Sequence, residues 1–207
     1  MQEIVQSIVD YLINIDWLEA SGLLFGLLAV YYLIKENIYT WPAGIIYVLI
    51  SFVIFWRLQL YGDFLLHIIF LILNIYGWYY WAFGKKDRKD HVPITWLSMN
   101  RHMVFGILSL VGIIVFGYML SHVHEVFTNL EPASVPYWDA ATTSLSITGM
   151  WLTARKKVDN WMYWLAVDIL ATGIYIYKGI YFYALLYFIY IGLAVIGFRE
   201  WKKLATS

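Results

Sequence analysis

Residues 65–81 read LLHIIFLILNIYGWYYW, and residues 185–201 read LLYFIYIGLAVIGFREW. An offset of 120 residues aligns the two stretches without a gap. The identical pairs are Leu65 with Leu185, Leu66 with Leu186, Ile69 with Ile189, Leu73 with Leu193, Gly77 with Gly197, and Trp81 with Trp201. The same offset aligns Trp41 with Trp161, Ile54 with Ile174, and Tyr61 with Tyr181. Internal repetition in an apolar chain is typical of membrane transporters, whose site lies between two related bundles.

The composition is that of an integral membrane protein. Of the 207 residues, 62% are hydrophobic, 20% are aromatic and 14% are charged, and the mean hydropathy is +0.66. A water-soluble domain of this length could not bury so much apolar surface. The chain has no cysteine, which excludes disulfides and thiolate metal sites.

Seven stretches have the length and apolar character of a membrane span, which needs about 20 residues. They are 18–34, 40–57, 62–83, 102–121, 137–153, 160–177 and 180–201. When alternate joints are assigned to opposite faces, one face holds only Arg57 and Lys178 of the 14 basic residues. The other face holds Lys35, Lys85, Lys86, Arg88, Lys89, Arg101, Arg155, Lys156, Lys157, Arg199, Lys202 and Lys203. Basic residues concentrate on the cytoplasmic side, so the N-terminus is predicted outside and the C-terminus in the cytoplasm.

The offset pairs the first three spans with the last three and leaves the fourth without a counterpart. Three helices end on the opposite side from where they began, so a parallel repeat needs one linking helix. The sequence therefore predicts an all-α, 3+1+3 architecture of an amphipathic segment at 1–17, bundles at 18–84 and 137–203, and a linking helix at 102–121.

Asp168 is the acidic residue that falls near the middle of a predicted span. A charge at that depth costs about 2.5–3.5 kcal/mol on insertion scales, so the carboxyl group is either protonated or faces a wet cavity that can hold a cation. Trp161 and Trp164 precede it by seven and four residues, which places all three on one helical face. A carboxylate near indole rings suits a flat cationic ligand. A belt position for Trp161 and a structural hydrogen bond for Asp168 are the alternatives.

Asn74 is a second polar residue at mid-depth, and an amide there must face the bundle interior. Structural contact between helices and ligand contact are both open for it. Asp63 and His67 lie one turn apart, and either a proton-linked pair or an ordinary interfacial hydrogen bond fits them.

Several other classes lack the residues they require. The stretch from Gly77 to Lys85 has six residues between its glycines, where a P-loop has four. Residues 180–201 contain no lysine that could form a retinal Schiff base. Asp168 has no second acid or Ser/His partner at depth, so intramembrane hydrolysis is not supported. We expect neither a cofactor nor a nucleic-acid partner.

The segment from Trp151 to Asp168, and the later run from Ile174 to Tyr181, resemble the Pnu family of bacterial vitamin transporters. So do Trp41-Pro-Ala-Gly-Ile-Ile, Tyr61-Gly-Asp63 and the run from Asn74 to Trp81. The resemblance covers about residues 18–203 and implies a seven-helix fold related to the SWEET sugar transporters. It also implies facilitated passage of an unphosphorylated vitamin across the inner membrane, a homotrimer, and substrate contacts by Trp161, Trp164, Asp168 and Asn74.

Two positions depart from this family's pattern. Met150 stands where many nicotinamide riboside transporters have glutamine, and Asp168 stands where some members have asparagine. Both residues lie near the expected pocket, so they leave the identity of the substrate open. Nicotinamide riboside is the first expectation and thiamine the second, because both are aromatic cations that Asp168 could attract. A membrane receptor or scaffold that does not transport is the alternative of a different class.

Overall fold

The computed structural model describes residues 2–57, 61–84, 92–126 and 134–205. These residues confirm the all-α prediction. Their eight helices are α1 (Gln2–Asn14), α2 (Trp17–Ile34), α3 (Thr40–Arg57), α4 (Tyr61–Phe83), α5 (Met99–Val126), α6 (Pro136–Ala154), α7 (Asn160–Tyr177) and α8 (Tyr181–Leu204).

The helices differ in how well they suit a bilayer. Among the described residues, five segments are long and apolar enough to cross it, and they lie in α2, α3, α4, α5 and α8. Helices α6 and α7, with 19 and 18 residues, are not among these five segments. Helix α7 carries three of the four predicted site residues, Trp161, Trp164 and Asp168. The count of seven spans thus stays a prediction.

Two connections show the same backbone pattern 120 residues apart. After α2, the Glu36 N–H donates to Leu33 O and the Asn37 N–H to Tyr32 O; after α6, the Lys156 N–H donates to Thr153 O and the Lys157 N–H to Leu152 O. Glu36 and Lys156 both adopt the left-handed conformation, with φ of 52° and 51°. That conformation is the usual way to end a helix and satisfy its last carbonyls.

Six helices form a closed ring in the described part of the chain. Successive helices are in contact in the order α2, α3, α4, α6, α7, α8 and back to α2. The ring therefore closes through α4 against α6 and α8 against α2. Helix α5 packs on α6, and α1 packs on α8 outside the ring.

Four tryptophans form the core at one end of the ring. The Trp81 ring lies 5.2 Å from Trp41 and 6.0 Å from Trp201, and Trp201 lies 5.8 Å from Trp161, all between ring centroids. Trp81 and Trp201 come from α4 and α8, which are opposite in the ring, so the cluster fills its centre. A Cβ at Gly197 would overlap the Trp161 ring, and one at Gly77 would overlap Trp41. Only glycine allows these rings to pack so closely.

Residues 92–98 fasten the connection between α6 and α7. Thr95 N–H donates to Lys156 O, Val158 N–H donates to Thr95 O, and Leu97 N–H donates to the Asp159 carboxylate at 2.7 Å. Asp159 also lies 3.0 Å from Nε2 of His102 at the start of α5. The segment that precedes α5 thus holds Lys156 in place.

Candidate functional site

Asp168 lies on α7 and is 6% exposed. Its carboxyl group interacts electrostatically with the hydroxyl groups of Tyr187 and Tyr190 on α8. In the described part of the chain, no basic side chain forms an ion pair with it. A buried carboxyl group without a basic partner is suited to bind a cation or a hydroxyl-rich ligand.

Tyr187 and Tyr190 are in turn linked to a third tyrosine on another helix. Tyr47 on α3 interacts electrostatically with both Tyr187 and Tyr190. A Cβ added to Gly26 on α2 would lie 3.4 Å from the Tyr190 hydroxyl and 3.4 Å from the Tyr47 ring. Side chains from α3 and α8 therefore meet beside Gly26 of α2, and one of them, Tyr190, also interacts electrostatically with Asp168 of α7.

The sequence analysis did not select these tyrosines. The repeat contained a signal for them, because none of the three is identical to the residue at its equivalent position. Tyr187 aligns with His67, Tyr190 with Phe70, and Tyr47 with Val167. The chain has 18 tyrosines, however, and many of them occupy interfacial positions. Only the packing of α8 against α2 separates the interior tyrosines from the others.

Asn74, on α4, is 3% exposed, and its side chain lies against α3. Its side-chain Nδ2 donates to Phe70 O at 2.9 Å, and a Cβ at Gly44 would overlap its Oδ1. Both contacts lie within α3 and α4, so the amide group joins these two helices. A contact with ligand remains a prediction.

Trp164 faces α6. Its Nε1 donates to Thr153 Oγ1 at 3.1 Å, and its ring lies 3.3 Å from the position that a Cβ at Gly149 would take. Thr153 Oγ1 in turn donates to Gly149 O at 2.9 Å. The half-buried indole therefore has a fixed orientation against α6.

Trp161 belongs to the four-tryptophan cluster. It is 2% exposed, and its plane stands at 87° to that of Trp201. Its Nε1 is buried without a hydrogen-bond partner among the described residues. Asp168 lies seven residues further along α7, about 10 Å at 1.5 Å per residue. The structure thus places Trp161 in the four-tryptophan cluster and Asp168 about two turns away, near Tyr187 and Tyr190.

Met150 and His67 complete the predicted positions. Met150 packs against the four-tryptophan cluster. His67 is 6% exposed and contacts the rings of Phe55 and Phe70 at 4.7 and 5.3 Å. The side chain of Asp63 is outside the described residues, so its predicted pairing with His67 stays a prediction.

Helices of this length and apolarity, with an isolated acid inside their ring, define an integral membrane transport protein. Residues 16–203 match the family described as Nicotinamide mononucleotide transporter. The chain belongs to this family, and the predicted family membership is confirmed.

Individual relatives cover most of the chain. It is 30% identical to the nicotinamide riboside transporter PnuC of Escherichia coli (strain K12), over 94% of this chain and 88% of that protein. It is 24% identical to the riboflavin/roseoflavin transporter RibM of Streptomyces davaonensis, over 91% of this chain and 85% of that protein. A crystal structure of the vitamin B3 transporter PnuC has a TM-score of 0.70 at 22% identity, over 97% of this chain and 87% of that one, which shows the shared fold.

Proposed function

We propose that this protein is a facilitative transporter of the bacterial inner membrane that carries nicotinamide riboside. Family membership and the 30% identical relative give the substrate class. The observation that carries the proposal is Asp168, a buried acid with aromatic neighbours and no basic partner among the described residues. Nicotinamide riboside combines a flat cationic ring with ribose hydroxyls, and this site offers a group for each.

The site binds the substrate through charge, stacking and hydrogen bonds. Asp168 attracts the pyridinium charge, and the exposed part of the Trp164 ring stacks on the nicotinamide. Tyr47, Tyr187 and Tyr190 supply hydroxyl groups for the ribose. Asn74 and Trp161, which the family resemblance implies as contacts, complete the proposed set. Trp161 would contribute its buried N–H.

The proposed architecture has seven membrane spans, α2 to α8, with α1 on the outer surface. Helices α2–α4 and α6–α8 form two bundles related by an axis along the membrane normal, and α5 links them. The matched connections after α2 and α6 support this repeat, as do the two Trp–Gly contacts 120 residues apart. The distribution of basic residues supports an external N-terminus and a cytoplasmic C-terminus.

Transport follows from the relative motion of the two bundles. The substrate site lies between them, so rocking of one bundle against the other opens it to each side in turn. The cycle needs no covalent chemistry. Accumulation of labelled nicotinamide riboside in proteoliposomes tests this function. Binding without accumulation would favour a receptor and overturn the proposal.

The vitamin is tested by competition on purified protein. Nicotinamide riboside, thiamine and riboflavin are offered to the same preparation, and we expect that order of affinity. Thiamine is the second candidate because it is also an aromatic cation that Asp168 can attract. Riboflavin is neutral, so preferential riboflavin binding would contradict the role of Asp168. The homotrimer implied by the family resemblance is checked by the mass of the purified particle.

A further inference from the structure

An ion pair between a buried lysine and a glutamate whose side chain is 25% exposed lies against the four-tryptophan cluster and joins the two bundles. Lys156, in the connection after α6, is 3% exposed, and its Nζ lies 2.6 Å from Oε1 of Glu36, in the connection after α2. The same ammonium group lies 4.3 Å from the centroid of the Trp81 ring. The pair therefore links the ends of α2 and α6 beside the tryptophans at the centre of the ring of helices.

The contacts around this pair are reciprocal. Trp81 Nε1 donates to Ala154 O at the end of α6, and Trp201 Nε1 donates to Leu33 O near the end of α2. Each bundle thus inserts a tryptophan from its third helix under the first helix of the other bundle. The two tryptophans also contact each other, so this end of the ring is closed by contacts between bundles.

Glu36 and Lys156 occupy equivalent positions of the repeat, 120 residues apart, with nearly equal φ angles. Equivalent positions next to a twofold axis face each other, and two identical charged residues there would repel. Opposite charges at these positions instead attract across the axis. Lys156 is fastened by Thr95 through the segment before α5, whereas no such segment holds Glu36 in the described part of the chain.

We propose that Glu36, Lys156, Trp81 and Trp201 form the cytoplasmic gate of the transporter, closed in this structure, in which the ion pair is a reversible latch. The inference rests on the proposed transport function and orientation. Substrate that leaves the site of Asp168 for the cytoplasm must pass the cluster, so both Trp–carbonyl bonds and the ion pair must separate. When they do, water reaches the buried Lys156 ammonium group and the covered part of the Glu36 carboxylate, and the recovered hydration offsets the lost attraction. A latch of this kind can open in every cycle.

Replacing both charged residues with apolar ones distinguishes a reversible latch from an ion pair that only stabilises the fold. Replacing a buried ion pair with apolar residues of similar volume is often neutral or stabilising, but apolar side chains gain nothing from water on opening. We therefore expect Glu36→Met/Lys156→Met to keep or raise Tm, to bind nicotinamide riboside within about twofold of the parent protein, and to transport it at least fivefold more slowly. The matched control is Asp139→Met/Lys178→Met, which removes a 3.6 Å pair between α6 and the residue that follows α7, within one bundle. It should leave the transport rate unchanged.

The rate of thiol labelling measures how often the gate opens, and this measurement does not depend on the identity of the substrate. The chain has no cysteine, so Leu33→Cys, at a position 7% exposed beneath the latch, introduces a single thiol. In inside-out vesicles, labelling by an impermeant maleimide should slow at least fivefold when the double Met substitution is added. Unchanged labelling would overturn the gate, whatever the substrate is. Slowed labelling in a protein that does not accumulate nicotinamide riboside would support the gate and count against the proposed function.

Discussion

Gly197→Ala tests whether close packing around Trp161 holds the end of the ring together. A Cβ at Gly197 would overlap three ring atoms of Trp161, whereas a Cβ at Gly192, five residues earlier on the same helix, meets nothing within 4 Å. Both substitutions gain about 0.5–1 kcal/mol of helix stability, because alanine loses less backbone entropy than glycine. This gain cancels when the two variants are compared. What remains is the cost of overpacking, about 1–3 kcal/mol.

The surroundings of Trp161 place the cost in the upper half of that range. The ring is 2% exposed and stands against Trp201, which is fully buried, so it cannot move aside. At about 2–4 °C per kcal/mol for a chain of this size, the Tm of Gly197→Ala should be roughly 5–10 °C below that of Gly192→Ala. Thermal unfolding of both variants in the same detergent measures the difference. Equal Tm values would refute the packing argument.

Four further substitutions test the site on purified protein, by ligand affinity and by Tm. Asp168→Asn should weaken nicotinamide riboside about tenfold or more and riboflavin much less, since the lost attraction acts on charge; equal losses would contradict the charge argument. Trp164→Ala should also reduce affinity about tenfold or more. Trp161→Ala should mainly lower Tm. If Trp164→Ala and Trp161→Ala both had a negligible effect on affinity, α7 would not line the pocket. Tyr190→Phe should cost one hydrogen bond, about fivefold in affinity, with Tm unchanged. Tyr177→Phe, at a position 73% exposed, is its control.

The helices could be predicted from the sequence because each is a local property. A run of about 20 apolar residues satisfies its own backbone hydrogen bonds in lipid and needs no partner to form. The stretches at 40–57 and 62–83 were therefore placed within one residue of α3 and α4. The helix predicted at 102–121 extends over Met99–Val126, because its polar ends did not count toward an apolar span.

The site was only partly accessible from the sequence. Asp168 could be selected because a carboxyl group at mid-depth is costly wherever its helix packs. The tyrosines around it could not, since α3 and α8 are apolar and aromatic on every face and their periodicity does not show which side faces inward. Tyr190 became visible as a candidate only when α8 was seen against Gly26 of α2.

The sequence by itself determined that this is a helical membrane protein of the Pnu type, and it indicated a repeat of 120 residues with an acid in its interior. These are consequences of composition and spacing, which act along the chain. The tertiary structure decided which helix contacts which across the ring. It also placed Trp161 in the tryptophan cluster and Trp164 against α6, and it brought Glu36 to Lys156. Such contacts join residues far apart in sequence, and they depend on how side chains of similar polarity fit together, which no local pattern records.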